Sequence, residues 1–422
     1  KQVKDSKHKV EFTLKQHTPI IHFQSDQSGA TLRATELKPK FDRFLKKYAF
    51  GNDFERYKIF LIGYDEKKKQ TKKDFDGKEA FNYKILIETI KSDAKEITNK
   101  TYFGNMGKKP HEEEYRYAIK IDQSFKIHFL TFNTIIKENI EKLFCSFLAV
   151  TNFGSRQNKG FGSYYLDKND PNYKAPIDAL EQIKANFIYA TYINKDEKIF
   201  EHVEVIYPLI KTGINYPDYK KIDHPRGEKD RNGKIKQVPD PTQGRGLKAS
   251  YYKSYLFTYM LNQNPSIGNE KKFIKENFFN NKIKPDNMTK KYVRALLGIG
   301  DGIEFKDHER KGKIEYSNPQ VERFKSPLTF KIVDNYLIIV INDIEKEIFD
   351  KSFTFKDKFD NKKSISTPKE NEFNLVDFMY AFADYFNNEL KIDKEKNRMN
   401  MFDEKIASAK IAKFLKASKW NI

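Results

Sequence analysis

Cysteine is almost absent: Cys145 is the single one in 422 residues. It has no internal disulfide partner, and a Cys-x-x-Cys zinc site is excluded. A reducing, cytoplasmic compartment fits that usage. No apolar run approaches the roughly 20 residues that span a bilayer, so a helical membrane protein is excluded. The start, KQVKDSKHKV, has no apolar stretch and reads as neither a signal peptide nor, lacking Met, an untrimmed beginning. The eight histidines form no His-x3-His or His-Glu-x-x-His pair, so metal hydrolysis has no support. No Gly-x-Ser-x-Gly elbow is present. The sequence asks for no metal and no cofactor.

Acidic residues are also in short supply. There are 59 Asp and Glu against 79 Lys and Arg, a formal charge of +20. Two readings stay open: lysines coating solvated faces in a Lys-rich chain, or a polyanion partner whose phosphates release counterions on binding. What the chain does hold is aromatic mass, 36 Phe and 24 Tyr. Disordered chains lack such residues, so this is a folded protein of two to three domains.

Val10 to Ile21 alternates apolar and polar residues and reads as a strand. After a polar loop, Leu37, Phe41, Phe44, Leu45 and Tyr48 recur at helical spacing, with Pro39 near the first turn. YKILIETI (83–90) is a strand, and residues 115–132 read as a hairpin broken at Asp122–Ser124. An amphipathic helix follows, capped by Asn133 or Thr134, and runs into FGSRQNKGFGSYYL, a glycine-rich loop and short strand. The order β, α, β, β, α, β over about 8–166 is the ferredoxin-like order.

The second half repeats the theme. NFIYATYI and HVEVIYPLI read as strands, with 211–243 a polar insertion. RGLKASYYKSYLFTYML is a helix, and YVRALLGIGDGIEF an apolar helical turn ending in glycines. Residues 319–343 form a hairpin turning at Asp334–Asn335, and two helices close the chain. Two echoes support a duplication: a basic loop before Leu-Lys and an aromatic helix, and glycines at 154–162 and 298–302. The expected fold is α+β, with tandem ferredoxin-like domains at 1–175 and 176–345 and a helical extension at 346–422.

The segment Phe153–Ser163 is the sharpest candidate site. Gly154, Gly160 and Gly162 free the backbone for tight turns, Arg156 and Lys159 bring charge, and Gln157 and Asn158 bring donors and acceptors. Such a loop binds anions through its backbone N–H groups, or is an ordinary helix-to-strand turn. Arg33 stands before a helix start, where free N–H groups suit phosphate. Asp26 is the one carboxylate in that loop, and His17 and His22 lie on the first strand and its exit. Tyr102 and Phe103, beside Lys108 and Lys109, suit base stacking or a core. The stripe Tyr251, Tyr255, Tyr259 is a helix face.

These features together resemble the RAMP superfamily of CRISPR-associated proteins. TPIIHFQ…TLRATELKPKFDRFL, FGSRQNKGFGS and VERFKSPLTFKIV are similar to the first subunit family of the type III-B (Cmr) effector complex. Leu32, Arg33, Thr35, Leu37 and Lys38 match its pattern Leu-Arg-x-Ser-x-(Ile/Val)-Lys-Gly, with Pro39 in place of the Gly. Arg156, Gly160, Phe161, Gly162 and Ser163 match its glycine-rich loop, and Arg323, Ser326 and Pro327 its later Arg-x-x-Ser-Pro.

The resemblance implies a non-catalytic RNA-binding subunit in antiviral defence. It would sit near the guide RNA 3′ end, with guide RNA, single-stranded target RNA and other Cmr subunits as partners. The residues expected to contact RNA are Arg33, Lys38, Gly154, Ser155, Arg156, Gln157, Asn158, Lys159, Gly160, Phe161 and Gly162, joined from the second half by Arg245, Lys248 and Arg323. In this superfamily slicing is attributed to a different subunit, through an Asp in the loop before its first helix. Asp26 lies in the matching loop, so an RNA-slicing reading stands as the rival. Guide processing with His17 or His22 as base is a further one, and a scaffold without RNA affinity another.

Overall fold

The computed structural model describes residues 7–21, 31–75, 77–88, 118–192, 199–215, 251–278, 286–299, 303–306, 311–318, 324–357, 359–390 and 419–422. The first unit is built from β1 (Lys9–Gln16), α1 (Ala34–Tyr48), β2 (Lys84–Ile87), β3 (Phe125–Leu130), α2 (Thr134–Val150) and β4 (Tyr164–Leu166). Its antiparallel sheet runs β2-β3-β1-β4, the ferredoxin-like arrangement. Strand β1 turns Val10, Phe12, Leu14 and Gln16 inward, as its period of two requires. Helix α1 buries Leu37, Phe41, Phe44 and Leu45 against that face, although Pro39 falls in its second turn rather than its first. Asn133 caps α2 by accepting the Ile136 N–H at 3.0 Å.

The core is aromatic. Phe12 meets Phe144 at 4.6 Å between centroids, and Phe41 meets Phe147 at 4.9 Å. Each such ring contributes about 1.5–3 kcal/mol by burial.

One expected pairing is different. Among the described residues 118–132 there is no hairpin pairing: Ala118–Ile119 pairs with Ile20–Ile21, and β3 pairs with β1 and β2. The buried Gln16 accounts for the parting. Its side chain donates to Ile119 O at 2.7 Å and accepts the Ile121 N–H at 2.8 Å, taking backbone groups that a hairpin ladder would have used.

The second unit uses β5 (Asn186–Thr191), α3 (Ile199–Lys211), β6 (Leu328–Val333), β7 (Tyr336–Ile341), α4 (Leu375–Asp384) and β8 (Trp420–Asn421). Its antiparallel sheet runs β6-β7-β5-β8, so the order of the first unit is repeated strand for strand. The turn at Asp334–Asn335 joins β6 to β7, with Asp334 at φ 50°. Segment HVEVIYPLI, read above as a strand, is the body of α3. Val203, Ile206, Leu209 and Ile210 are buried at helical spacing, and this face packs on the second core.

The repeat is therefore real, but the sequence echoes mark other places. The counterpart of α1 is α3, whereas the aromatic helix at Tyr255–Gln263 belongs to an insertion between α3 and β6. Tyr255 and Tyr259 pack there on Phe378 as a helix face, but Tyr251, expected on the same stripe, lies in the short strand Tyr251–Tyr252, which pairs with Ile214–Asn215. Gly298 also lies in that insertion, after the short helical turn Val293–Leu297, so it has no counterpart in Gly154–Gly162. The segment 346–422 does not stand apart as an extension: it supplies α4 and β8 to the second unit. Helix Pro176–Gln182 belongs with the first core, into which it sends Ala179 and Leu180. The last expected helix, 404–418, lies outside the described residues.

Candidate nucleic-acid interface

The glycine-rich loop follows α2 and lies against the second unit. Gly154, Gly160 and Gly162 all have positive φ, at 78°, 89° and 67°. A Cβ on Gly154 would come within 2.6 Å of Ile21 O, so the backbone approach there admits no side chain. The expectation that these amides form an anion nest is not met. Gly154 N–H donates to Glu36 Oε1 at 2.8 Å and Ser155 N–H to Ile21 O at 2.7 Å. Lys159 N–H donates to Arg156 O at 2.8 Å, Gly160 N–H to Gln157 O at 3.3 Å and Gly162 N–H to Pro19 O at 2.7 Å. The glycines close the loop on the protein, and these donors are occupied.

What the loop joins is the two units. Lys159 bridges to Phe330 in parallel register, extending the free edge of β6. Phe330 N–H donates to Asn158 O at 3.1 Å, and Asn152 Nδ2 donates to Phe330 O at 2.8 Å. Asn158 Nδ2 donates to Ser326 O at 2.7 Å, and Ser163 Oγ to Ile332 O at 2.6 Å. Phe161 is buried in the second unit's core rather than presented to a ligand. Lys331, fully buried, donates to Thr151 O at 2.8 Å and Tyr164 O at 2.9 Å. Burial, then the nearby Lys40 cation, holds its amine well below the ordinary lysine range.

The remaining charge gathers along this seam. Lys40, which sequence reading passed over, donates to Glu36 Oε1 at 2.7 Å and to Asn152 O and Gln157 Oε1 at 2.9 Å each. Burial lowers its pKa against the pull of Glu36. Lys325 is lowered by desolvation and by the Lys40 and Arg43 cations. Lys159 is lowered by burial and by Lys211 and Arg156. Lys211 shares the Tyr207 ring with the loop, with Lys159 Nζ 5.0 Å and Lys211 Nζ 5.9 Å from the ring centroid. Arg294 continues the line, paired with Glu270 at 2.8 Å. Glu36, Glu270 and Glu345 offset part of this charge. The result is a run of like charges from both units, each lysine losing affinity for its own proton.

The expected site residues divide. Arg156, Gln157, Asn158 and Lys159 are half-buried on the seam. Arg33 is the half-buried N-cap of α1, with extended backbone and no side-chain cap. Lys38 turns away: it donates to Asp42 Oδ2 and Phe81 O at 2.9 Å each and lies 4.0 Å above Tyr83. Arg245, Lys248 and Arg323 lie outside the described residues, as do Asp26, His22, Tyr102 and Phe103. His17 is described, and its Nδ1 accepts the Asp334 N–H at 3.0 Å. Burial pushes its pKa down to about 3, so it is held neutral as a pin between the units. A general base poised near neutral pH needs the opposite setting.

The missed residues had a weak signal at best. Lys40 stands four residues after Glu36 on α1, a spacing that predicts a helical ion pair but not a joint to a distant loop. Lys325 lies inside the RFKSP match without belonging to it. Lys211 was read as the start of the polar insertion 211–243, whereas it is the last residue of α3.

Two ferredoxin-like units, with a glycine-rich loop after the second helix of the first, define a RAMP protein of the CRISPR systems. Residues 7–214 match the Cmr1 N-terminal domain and residues 251–407 the Cmr1 C-terminal domain. The chain therefore belongs to the Cmr1 family and is a subunit of the type III-B Cmr complex. A solved structure, Cmr1 from Pyrococcus furiosus in its apo form, is 12% identical. That alignment covers 81% of this chain and 90% of the other, with a TM-score of 0.34. No curated protein sequence matches the chain. Among the described residues no helix is long and apolar enough to cross a membrane.

Proposed function

We propose that this Cmr subunit binds single-stranded RNA, guide and target, along the seam between its two units and does not cut it. The carrying observation is the run of lysines and arginines from both units, held together at a cost that a polyanion would remove. Arg156 and Lys159 are its first-unit contacts, and Lys325, Lys211 and Arg294 come from the second. The contacts are to phosphates, so they position RNA without reading its sequence; selection comes from guide–target pairing. Arg245, Lys248 and Arg323 remain proposed contacts from the same half. The reading places the subunit near the guide 3′ end in the cytoplasm, with the other Cmr subunits as neighbours, in antiviral defence.

Fluorescence anisotropy with a labelled single-stranded RNA at several salt concentrations tests this. Arg156→Ala and Lys159→Ala should each weaken binding and reduce the salt slope by about 1. Lys67→Ala, on an exposed tip, should leave both unchanged. Equal effects at all three positions would mean that charge acts only in bulk. RNA shortened by the purified protein would return the slicing reading.

A further inference from the structure

Lys211 closes α3 at the seam, and its surroundings are those of an amine short of an acceptor. Its Nζ donates to Leu297 O at 3.1 Å and Gly298 O at 2.7 Å, the two carbonyls at the end of the short helical turn. A neutral amine has two N–H groups, and these two carbonyls use both. An ammonium has a third. Facing it are the Tyr207 ring of its own helix, Lys159 of the glycine-rich loop, Arg294 of the helical turn 293–297, and Glu270 of the helix Glu270–Phe278. Glu270 is already committed, with Oε1 2.8 Å from Arg294 Nε and Oε2 accepting the Val293 N–H at 3.1 Å. The turn that carries the two carbonyls is packed against the segment before β6, with Ile299 N–H donating to Phe324 O at 2.9 Å. Gly298, at φ 104°, lies against Ser326, and Ser326 O receives Asn158 of the first loop.

From this arrangement we infer that Lys211, with Lys159 beside the same Tyr207 ring, forms a phosphoryl-oxyanion site that takes up one proton as the anion binds. The anion supplies the acceptor for the third N–H of Lys211, with the Lys159 cation close by. Burial and the Arg294 cation push the empty site's Lys211 down to about 7, so near neutral pH the proton is only partly present before binding. The oxygen donor is a backbone phosphate of RNA or a free phosphate, which share this chemistry. The RNA form of the inference rests on the seam reading above.

The test measures affinity from pH 6 to 8.5 at fixed ionic strength, with a labelled single-stranded RNA and separately with inorganic phosphate, its affinity referred to the concentration of the dianion at each pH. The expected result is weakening with pH, approaching tenfold per pH unit above the point where Lys211 loses its proton. Calorimetry in buffers of different ionisation enthalpy should show uptake of one proton near pH 8. Lys211→Arg, always charged, should bind with a flat profile, and Lys211→Met should bind weakly with a flat profile. RNA bound tightly with a pH profile that Lys211→Arg does not change overturns the inference while leaving the seam reading intact. Phosphate bound with the expected profile, but no RNA at low salt, supports the oxyanion site and overturns the seam reading. Binding of neither overturns both. The wild-type profile and proton count decide the matter even where a variant fails to fold.

Discussion

At the scale of single residues, the glycine-rich loop shows how composition can mark an unusual backbone without giving the direction its amides face. Three glycines, two cations and two amides in eleven residues mark a place where the backbone does something unusual. Whether its N–H groups face a ligand or the protein depends on Glu36, Ile21 and Pro19, which sequence distance hides. The glycines are thus required by packing, and two substitutions separate packing from conformation. At Gly162, φ is 67° and a Cβ would overlap Phe153 O. At Gly77, φ is 71° but no atom lies within 4 Å of the added Cβ. Gly77→Ala should cost about 1 kcal/mol, from left-handed strain alone. Gly162→Ala should cost roughly 2–4 kcal/mol, because backbone must also move. Denaturant titration of both variants checks this; equal losses would mean that the loop has room that the packing denies it.

At the scale of elements, what was legible had a clean period and local punctuation. Strand β1, helices α1 and α2, and the β6–β7 hairpin with its Asp334–Asn335 turn all follow their apolar spacing. Helix α3 did not, because Val203, Val205 and Tyr207 satisfy a period of two while Val203, Ile206 and Ile210 satisfy a helical one. β-branched residues tipped the local preference towards strand, and the need to cover the second sheet decided otherwise. The helix Tyr255–Gln263 in the insertion that follows is placed by contacts with α4, such as Tyr255 on Phe378, that no local signal announces. Helix α2 enters the first core through Phe144, which touches Phe12, Phe41 and Phe129 at centroid distances of 4.6, 5.4 and 4.9 Å. Phe144→Ala should therefore cost about 3–5 kcal/mol. Ile135→Ala, on the exposed side of the same helix, should stay within about 0.5 kcal/mol. Thermal melts of the pair read the difference directly.

At the scale of the whole molecule, the duplicated sheet order makes two similar units, and the joint makes them one body. The loop bridge to β6, buried Lys331 and the His17–Asp334 contact all cross between units. His17 makes this joint sensitive to acid. Its pKa is about 3 in the fold and 6.5 when exposed, so between those values the unfolded chain binds a proton that the folded chain refuses. Its contribution is complete above pH 6.5 and is lost as pH falls towards 3, at a slope near 1.4 kcal/mol per pH unit. Other carboxylates add to acid unfolding, so the comparison must be with a variant. In His17→Gln the amide oxygen can still accept the Asp334 N–H, and the titration is gone. The wild type should lose stability faster than His17→Gln from pH 6 to 4, and each should melt in a single transition. Parallel losses would mean that His17 does not hold the joint. Two separate transitions in the wild type would mean that the units are not one cooperative body, and a seam shared between them could then not keep its lysines in place without RNA.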